Sequence, residues 1–235
     1  MPPWADVDGA GPGPDPAPNR FSGFRTSLGR FVSGGDQSDL RKALGKYAKK
    51  ATGGAEVGPR RFGAMAQAAG GLYEILDGLR KNSADLPLNL RELAGRSTRE
   101  AINAIVDALV PENGDGDRIR ASLNEALASC LEGEAVFDFN SITDEILMDV
   151  MVAYAAQCVF EQVVMDSDRA FNKATTPQQA EDAENALLEL VRAVTEKHMT
   201  PILENRLQVM TNAQMQAAQI AAIREVWREW EGYQP

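Results

Sequence analysis

Catalysis needs a nucleophile, a base or a bound metal, and this sequence holds few side chains that could supply one. His198 is the sole histidine, so a Ser-His-Asp type of triad would have to use it as the base. It stands in Glu196-Lys197-His198-Met199, which reads as a helix end, where an imidazolium suits the negative pole. No Gly-x-Ser-x-Gly turn or comparable nucleophile elbow accompanies it. Cys130 and Cys158 add at most two soft ligands to His198, with neither CxxC nor HxxxH spacing, so no zinc site is expected. Cys158 falls within the most apolar helical stretch and reads as a small buried hydrophobe. The carboxylate groups Asp144-Glu145, Asp166 with Asp168, and Glu181-Asp182-Glu184 read as solvated helix faces, with no histidine to join them in a di-metal bundle. Ser33-Gly34-Gly35-Asp36 precedes a helix but lacks the Gly-Lys-Ser/Thr ending of a phosphate loop, and Asp36 would repel a phosphate. No catalytic residue, metal site or cofactor is expected.

Binding chemistry is better represented. The chain of 235 residues carries a net charge of −10, yet residues 20–61 hold ten Lys or Arg against three Asp or Glu. Lys42, Lys46, Lys49 and Lys50 recur at three-to-four-residue spacing and form one face of a helix over 39–51. Four such lysines could neutralise phosphates, with Tyr47 as a stacking platform. However, Tyr47 belongs to the apolar face, and Lys is the ordinary residue of a solvated helix surface. Nucleic acid is therefore the alternative partner, behind an acidic protein surface. At the other end of the chain, Pro2-Pro3-Trp4-Ala5-Asp6 puts one indole in an otherwise hydrophilic segment, a candidate anchor for a small interface.

The elements that must position these residues are helical. Ala, Leu, Glu and Arg dominate and β-branched runs are scarce, so the fold class is all-α. Residues 1–19 carry six of the twelve prolines and are expected to form a flexible Pro/Gly-rich tail rather than packed structure. Residues 20–235 follow as a helical domain, with a basic N-terminal part over 20–80 and core helices over 97–235. The spacing of Phe21, Phe24, Leu28 and Phe31 predicts a first helix, with Arg25 and Arg30 off its stripe. Asp36 and Ser38 offer caps for the second, which buries Leu40, Leu44 and Tyr47 and ends at Gly53-Gly54. Gly70-Gly71 interrupts a stripe over 59–79, either as a break or as a point of close helix approach. Lys81 to Leu90 reads as a loop. Ser97 and Glu100 form a capping box, and the segment Glu134 to Asn140 is the one extended piece, too short to found a sheet.

Ser141 to Met165 is apolar nearly all round and belongs at the centre of a bundle. Thr176-Pro177 and Thr200-Pro201 each place a cap before an N1 proline, predicting helices from those points, the last running through Trp227 and Trp230. The expectation is a globular bundle of about six to eight helices. No run reaches the ~18 uninterrupted apolar residues of a membrane span. With no secretory signal pattern and two scattered cysteines, a reducing cytoplasm is the expected compartment.

Several stretches taken together resemble a known family. They are Met1-Pro2-Pro3-Trp4-Ala5-Asp6, then Arg20-Phe21, Phe24-Arg25-Thr26-Ser27-Leu28-Gly29-Arg30-Phe31-Val32, Asp39-Leu40-Arg41-Lys42-Ala43-Leu44-Gly45-Lys46-Tyr47, and Gly58-Pro59-Arg60-Arg61-Phe62-Gly63. This run is similar to the QatB family, a non-enzymatic component of the Qat bacterial anti-phage defence system, and the likeness covers residues 1 to about 75. The resemblance implies partnership with a QueC-like enzyme (QatC), an ATPase and a TatD-like nuclease. It further implies that the N-terminal tail enters the QueC-like enzyme and receives a deazaguanine group. On that basis the partner-binding residues are Pro2, Pro3, Trp4, Asp6, Phe21, Phe24, Arg25, Arg30 and Phe31. The resemblance also implies a Gly/Ser-rich leader before the Pro-Pro-Trp-Ala-Asp run, with a glycine as the modified terminus; here Met1 alone precedes Pro2, so that leader and its acceptor glycine are expected to be missing.

Overall fold

The computed structural model describes residues 19–131, 135–204 and 206–233. Among these, nine α-helices form: α1 (Ser22–Val32), α2 (Gln37–Lys46), α3 (Gly63–Arg80), α4 (Leu88–Arg91), α5 (Thr98–Leu109), α6 (Gly116–Leu131), α7 (Asp144–Ser167), α8 (Pro177–Leu203) and α9 (Asn212–Gly232). The fold is all-α, with α4 a single turn where a loop is predicted, its Leu90 buried. The only β pairing among the described residues is an isolated bridge between Ser97 and Val136, so the extended piece indeed founds no sheet.

The helices divide into two compact units whose segments interleave in sequence. The first takes its described residues from 19–63, 163–187 and 224–233; the second comprises 64–162 and 188–223. Helices α7, α8 and α9 contribute to both.

In the first unit, α1 packs against α2 and against a short 3-10 turn at Phe171–Lys173. The predicted stripes supply most of its core, with Phe24 and Leu28 from α1 and Leu40 and Leu44 from α2 fully buried, and Val32 joins them. Asp36 caps α2 by accepting from the amides of Ser38 (2.8 Å) and Asp39 (3.3 Å), and the Ser38 hydroxyl donates to the same carboxylate. Past Lys46 the helix widens into a π turn over Tyr47–Ala51, marked by the Thr52 amide donating to the Tyr47 carbonyl at 3.0 Å. Gly53 and Gly54, at φ +84° and +86°, then end it in the left-handed region that L side chains avoid.

The second unit holds α3 to α6, most of α7, and parts of α8 and α9. Helix α3 is unbroken through Gly70-Gly71. A Cβ on Gly70 would stand 2.8 Å from Gln216 Cγ, and one on Gly71 2.6 Å from Leu109 Cδ2, so the pair serves close approach. The capping box at Ser97 forms as predicted. Helix α7 is long and apolar enough by composition to cross a membrane, yet 72% of its most apolar window is buried within the protein, as befits a central helix.

One predicted boundary is wrong. Helix α8 does not stop at Met199 but runs through Pro201 to Leu203. Pro201 forfeits a single amide hydrogen bond close to the C-terminus, where little of the ladder remains to lose. Met199 and Leu203 continue the fully buried stripe, and the Glu204 amide still reaches the Thr200 carbonyl at 2.9 Å. The last helix instead starts at Asn212. Thr211 and Gln214 cap it reciprocally: the Gln214 amide donates to Thr211 Oγ1 (3.2 Å) and the Thr211 amide to Gln214 Oε1 (2.8 Å), a capping box of the Thr-x-x-Gln form.

Candidate functional site

The residues singled out for partner contact divide by burial. Phe24 and Phe31 lie on the same side of α1 as Leu28 and are buried, so they serve the core of the first unit rather than its surface. Phe21 and Arg25 are half-buried and Arg30 is exposed. The Arg20 guanidinium sits 5.0 Å and that of Arg25 5.4 Å from the Phe21 ring centroid, within cation–π range. Arg25 also donates from Nε to the Asp166 carbonyl (2.9 Å) and approaches the Asp168 carboxylate at 3.6 Å. Pro2, Pro3, Trp4 and Asp6 lie outside the described residues.

The basic face of α2 is only partly outward. Lys42 and Lys46 are half-buried, and Lys46 Nζ donates to Ser27 Oγ at 2.8 Å; Lys49 and Lys50 are exposed. Tyr47 is fully buried, which removes the one aromatic that could stack a base. Its ring meets Phe24, Trp227 and Trp230 at centroid distances of 4.8, 5.8 and 6.4 Å, and Phe62 reaches the same cluster through Trp227.

At the polar end of this aromatic cluster is Asp166. It accepts from the Tyr47 hydroxyl at 2.8 Å and from both terminal nitrogens of Arg61 at 2.6 and 3.1 Å. Burial, reinforced by the Asp166 charge, pushes the Tyr47 phenol well above its ordinary pKa. Burial opposes the charge on Arg61, but its hydrogen bonds to Asp166 together with the charges of Asp166 and the Tyr47 phenol outweigh this, and its pKa is raised. Reading Asp166 and Asp168 as a solvated pair is thus corrected: Asp168 is exposed, whereas Asp166 continues the buried stripe of Val159 and Val163. That register was the one signal in the sequence that could have found it. A second lock closes the cluster, with Trp227 Nε1 donating to Thr52 Oγ1 at 2.8 Å while the Thr52 hydroxyl donates back to the carbonyls of Tyr47 and Ala48. Gly58 allows this approach; a Cβ there would fall 2.8 Å from Trp227 Cδ1.

The side chains weighed for catalysis lie on three helices, Cys130 on α6, Cys158 on α7 and His198 on α8. His198 is half-buried five residues before the end of α8 rather than at its terminus. Burial drives the Cys158 thiol up to about 12, which makes it a poor nucleophile, and both cysteines are free. Among the described residues no group of three or more His, Cys, Asp or Glu could hold a metal. A concavity of about 480 Å³ in the second unit is walled by apolar residues such as Ile202, Val209 and Met210 with Arg206 and Gln214 as its polar members, and offers no nucleophile, base or acid.

Against this geometry, the family model for the Qat anti-phage system associated protein QatB matches residues 53–229, about three quarters of the chain. The chain belongs to the QatB family. The matched range opens at Gly53, the left-handed residue that ends the π turn, and takes in Gly58, Arg61, Asp166 and Trp227 of the buried cluster. Helices α1 and α2, which carry most of the motifs quoted for the resemblance, precede it. Family membership makes this protein a component of an anti-phage defence system, acting with other proteins of that system. No curated protein and no solved structure is a match for the chain.

Proposed function

We propose that this QatB-family protein acts without enzymatic activity of its own, binding a QueC-like enzyme (QatC) in the cytoplasm and presenting its N-terminal tail as the substrate for deazaguanine modification. The family match over 53–229 carries this reading. It is supported by the half-buried Phe21 just ahead of α1, flanked by the guanidinium groups of Arg20 and Arg25. Phe21, Arg25 and Arg30 are then the contacts this surface can offer, with Pro2, Pro3, Trp4 and Asp6 as the tail's own. The system's ATPase and TatD-like nuclease are proposed as further partners. Nucleic-acid binding through 39–51 is the weaker alternative, since Tyr47 is buried and of the four lysines only Lys49 and Lys50 are exposed, Lys42 and Lys46 being half-buried.

The test is co-expression with the QueC-like enzyme, followed by affinity capture and intact-mass measurement of this chain. Trp4→Ala and a deletion of 1–19 are expected to reduce capture at least tenfold, about 1.4 kcal/mol of interface energy. Undiminished capture by both variants sinks the tail-anchor reading. For the alternative, retention on DNA or RNA at low salt that is lost in Lys49→Glu/Lys50→Glu would favour nucleic acid.

A further inference from the structure

The concavity of the second unit lies between the end of α8, the 3-10 turn Leu207–Val209 and the first half of α9. Its apolar wall is Ile202, Val209, Met210, Ala217, Ala218 and Ala221, and of these only Ala218 is buried. Sites for small molecules enclose most of their ligand; this one is an open groove, a shape that suits another protein surface. On its rim Val209 is 78% exposed. A lone exposed valine is ordinary, but this one is held out by a built turn. Leu207 anchors the turn in the core, the Tyr73 hydroxyl donates to the Leu207 carbonyl at 2.5 Å, and Lys81 Nζ donates to the Gln208 carbonyl at 3.3 Å. Gln208 Nε2 donates to Asp144, which also pairs with Arg80.

Charge narrows what can cover the groove. Arg206 lines it and Glu204 stands two residues before, both exposed. Among the described residues neither has an ion-pair partner within 4.0 Å, not even the other. The acids that α3 and α7 bring to the turn are committed: Asp77 to Arg80 and Lys81, Asp144 to Arg80 and Gln208, and Glu74 to Asn212. A protruding valine, an apolar hollow, an uncommitted cation and an uncommitted anion thus share one short stretch of surface. Such a surface is complementary to a copy of itself, which is what a two-fold interface requires.

We propose that this groove is a self-association surface. A second copy of the chain docks on it about a two-fold axis, each Val209 entering the other copy's groove and each Arg206 meeting the other copy's Glu204. The inference goes beyond the partner reading and does not rest on it. Eight residues line the groove, against the ~20–30 per side of a standard interface, so the dimer is weak and forms at micromolar concentration or above. The net charge of −10 works against it at low ionic strength. Near 0.15 M salt, where the Debye length is ~8 Å, that long-range repulsion is screened and the short-range pairing decides.

Sedimentation velocity on the full chain without any partner tests it, at about 0.15 M salt and between about 5 and 500 µM protein. The weight-average mass is expected to rise from one chain toward two. Val209→Asp, Arg206→Glu and Glu204→Arg, all changes of exposed side chains, should each weaken association about tenfold or more. In a two-fold dimer each charge reversal turns two attractive pairs into two repulsive ones. An equimolar mixture of Arg206→Glu with Glu204→Arg should therefore regain the dimer, because both of its pairs are again opposite in sign; a variant that merely misfolds is not rescued this way. A monomer at every concentration overturns the second copy as occupant and leaves the groove to a segment of another protein. A dimer that all three variants leave intact, or charge reversals whose mixture stays monomeric, overturns the two-fold pairing. Either failure leaves the partner reading intact, because that reading stands or falls on capture and mass.

Discussion

Replacing Asp166 with Ala would leave two donors, the Tyr47 hydroxyl and the Arg61 guanidinium, facing a buried position with no acceptor. Breaking a buried ion pair by removing one partner costs about 3–5 kcal/mol. The Arg61 side chain is 27% exposed and that of Asp166 11%, so the lower end of that range applies to the charge. The stranded phenol adds ~1–3 kcal/mol, since Tyr47 is fully buried. The expected total is about 4 kcal/mol, or roughly 8–16 °C in melting temperature for a chain of this size. Tyr47→Phe removes one donor and leaves the Arg61 pair whole, so it should cost only ~1 kcal/mol. In the double variant the phenol is no longer stranded, and the combined cost should fall short of the sum by about 1 kcal/mol. Urea denaturation followed by tryptophan fluorescence reads this directly, because Trp227 and Trp230 lie 5.8 and 6.4 Å from the Tyr47 ring. Helical circular dichroism in parallel reveals whether the two units unfold together. A loss under 1 kcal/mol for Asp166→Ala at unchanged m-value, or strict additivity with Tyr47→Phe, would refute the buried hub.

Three further outcomes are expected. Gly58→Ala drives a methyl into the Trp227 indole and should destabilise by about 1–3 kcal/mol, with a shifted tryptophan emission; thermal melts and a fluorescence spectrum check both. Thr211→Ala removes the cap of α9 and should cost ~1 kcal/mol, whereas Thr200→Ala, inside α8, should cost less; equal losses would contradict the observed helix boundary. At alkaline pH the raised Tyr47 phenol makes the folded state hold its proton more tightly than the unfolded chain. Its contribution is therefore complete below the unfolded value near 10 and is lost as pH rises toward the folded value. Tyr47→Phe should flatten the fall in stability above pH ~10, leaving the slope contributed by the other groups that burial raises, Tyr154, Tyr73, Tyr233 and Cys158; an identical slope in the variant argues against that shift.

The helix pattern was legible wherever it depends on neighbours along the chain. The stripes of α1 and α2, the Asp36 cap, the Ser97–Glu100 box and the proline start of α8 all follow from spacing and local hydrogen bonding, which act over three or four residues. The charge imbalance of residues 20–61 is likewise a matter of composition alone. Thr200-Pro201 misled because a good local start signal competes with burial: Met199 and Leu203 keep α8 going, and packing outweighs one missing amide. Gly70-Gly71 left two outcomes open locally, and only Gln216 and Leu109, distant in sequence, decide between them.

What tertiary structure alone decided is the role of Asp166 and the division into two units. Asp166 meets Tyr47 across 119 positions and Arg61 across 105, distances over which periodicity carries no information. In the sequence it is one acid near the end of an apolar helix. In the fold it becomes the acceptor that lets a phenol and a guanidinium be buried together, because an unpaired charge there would cost more than the site could recover. Composition likewise sets how acidic or basic a segment is, but only folding places the start of α1 beside the lysines of α2.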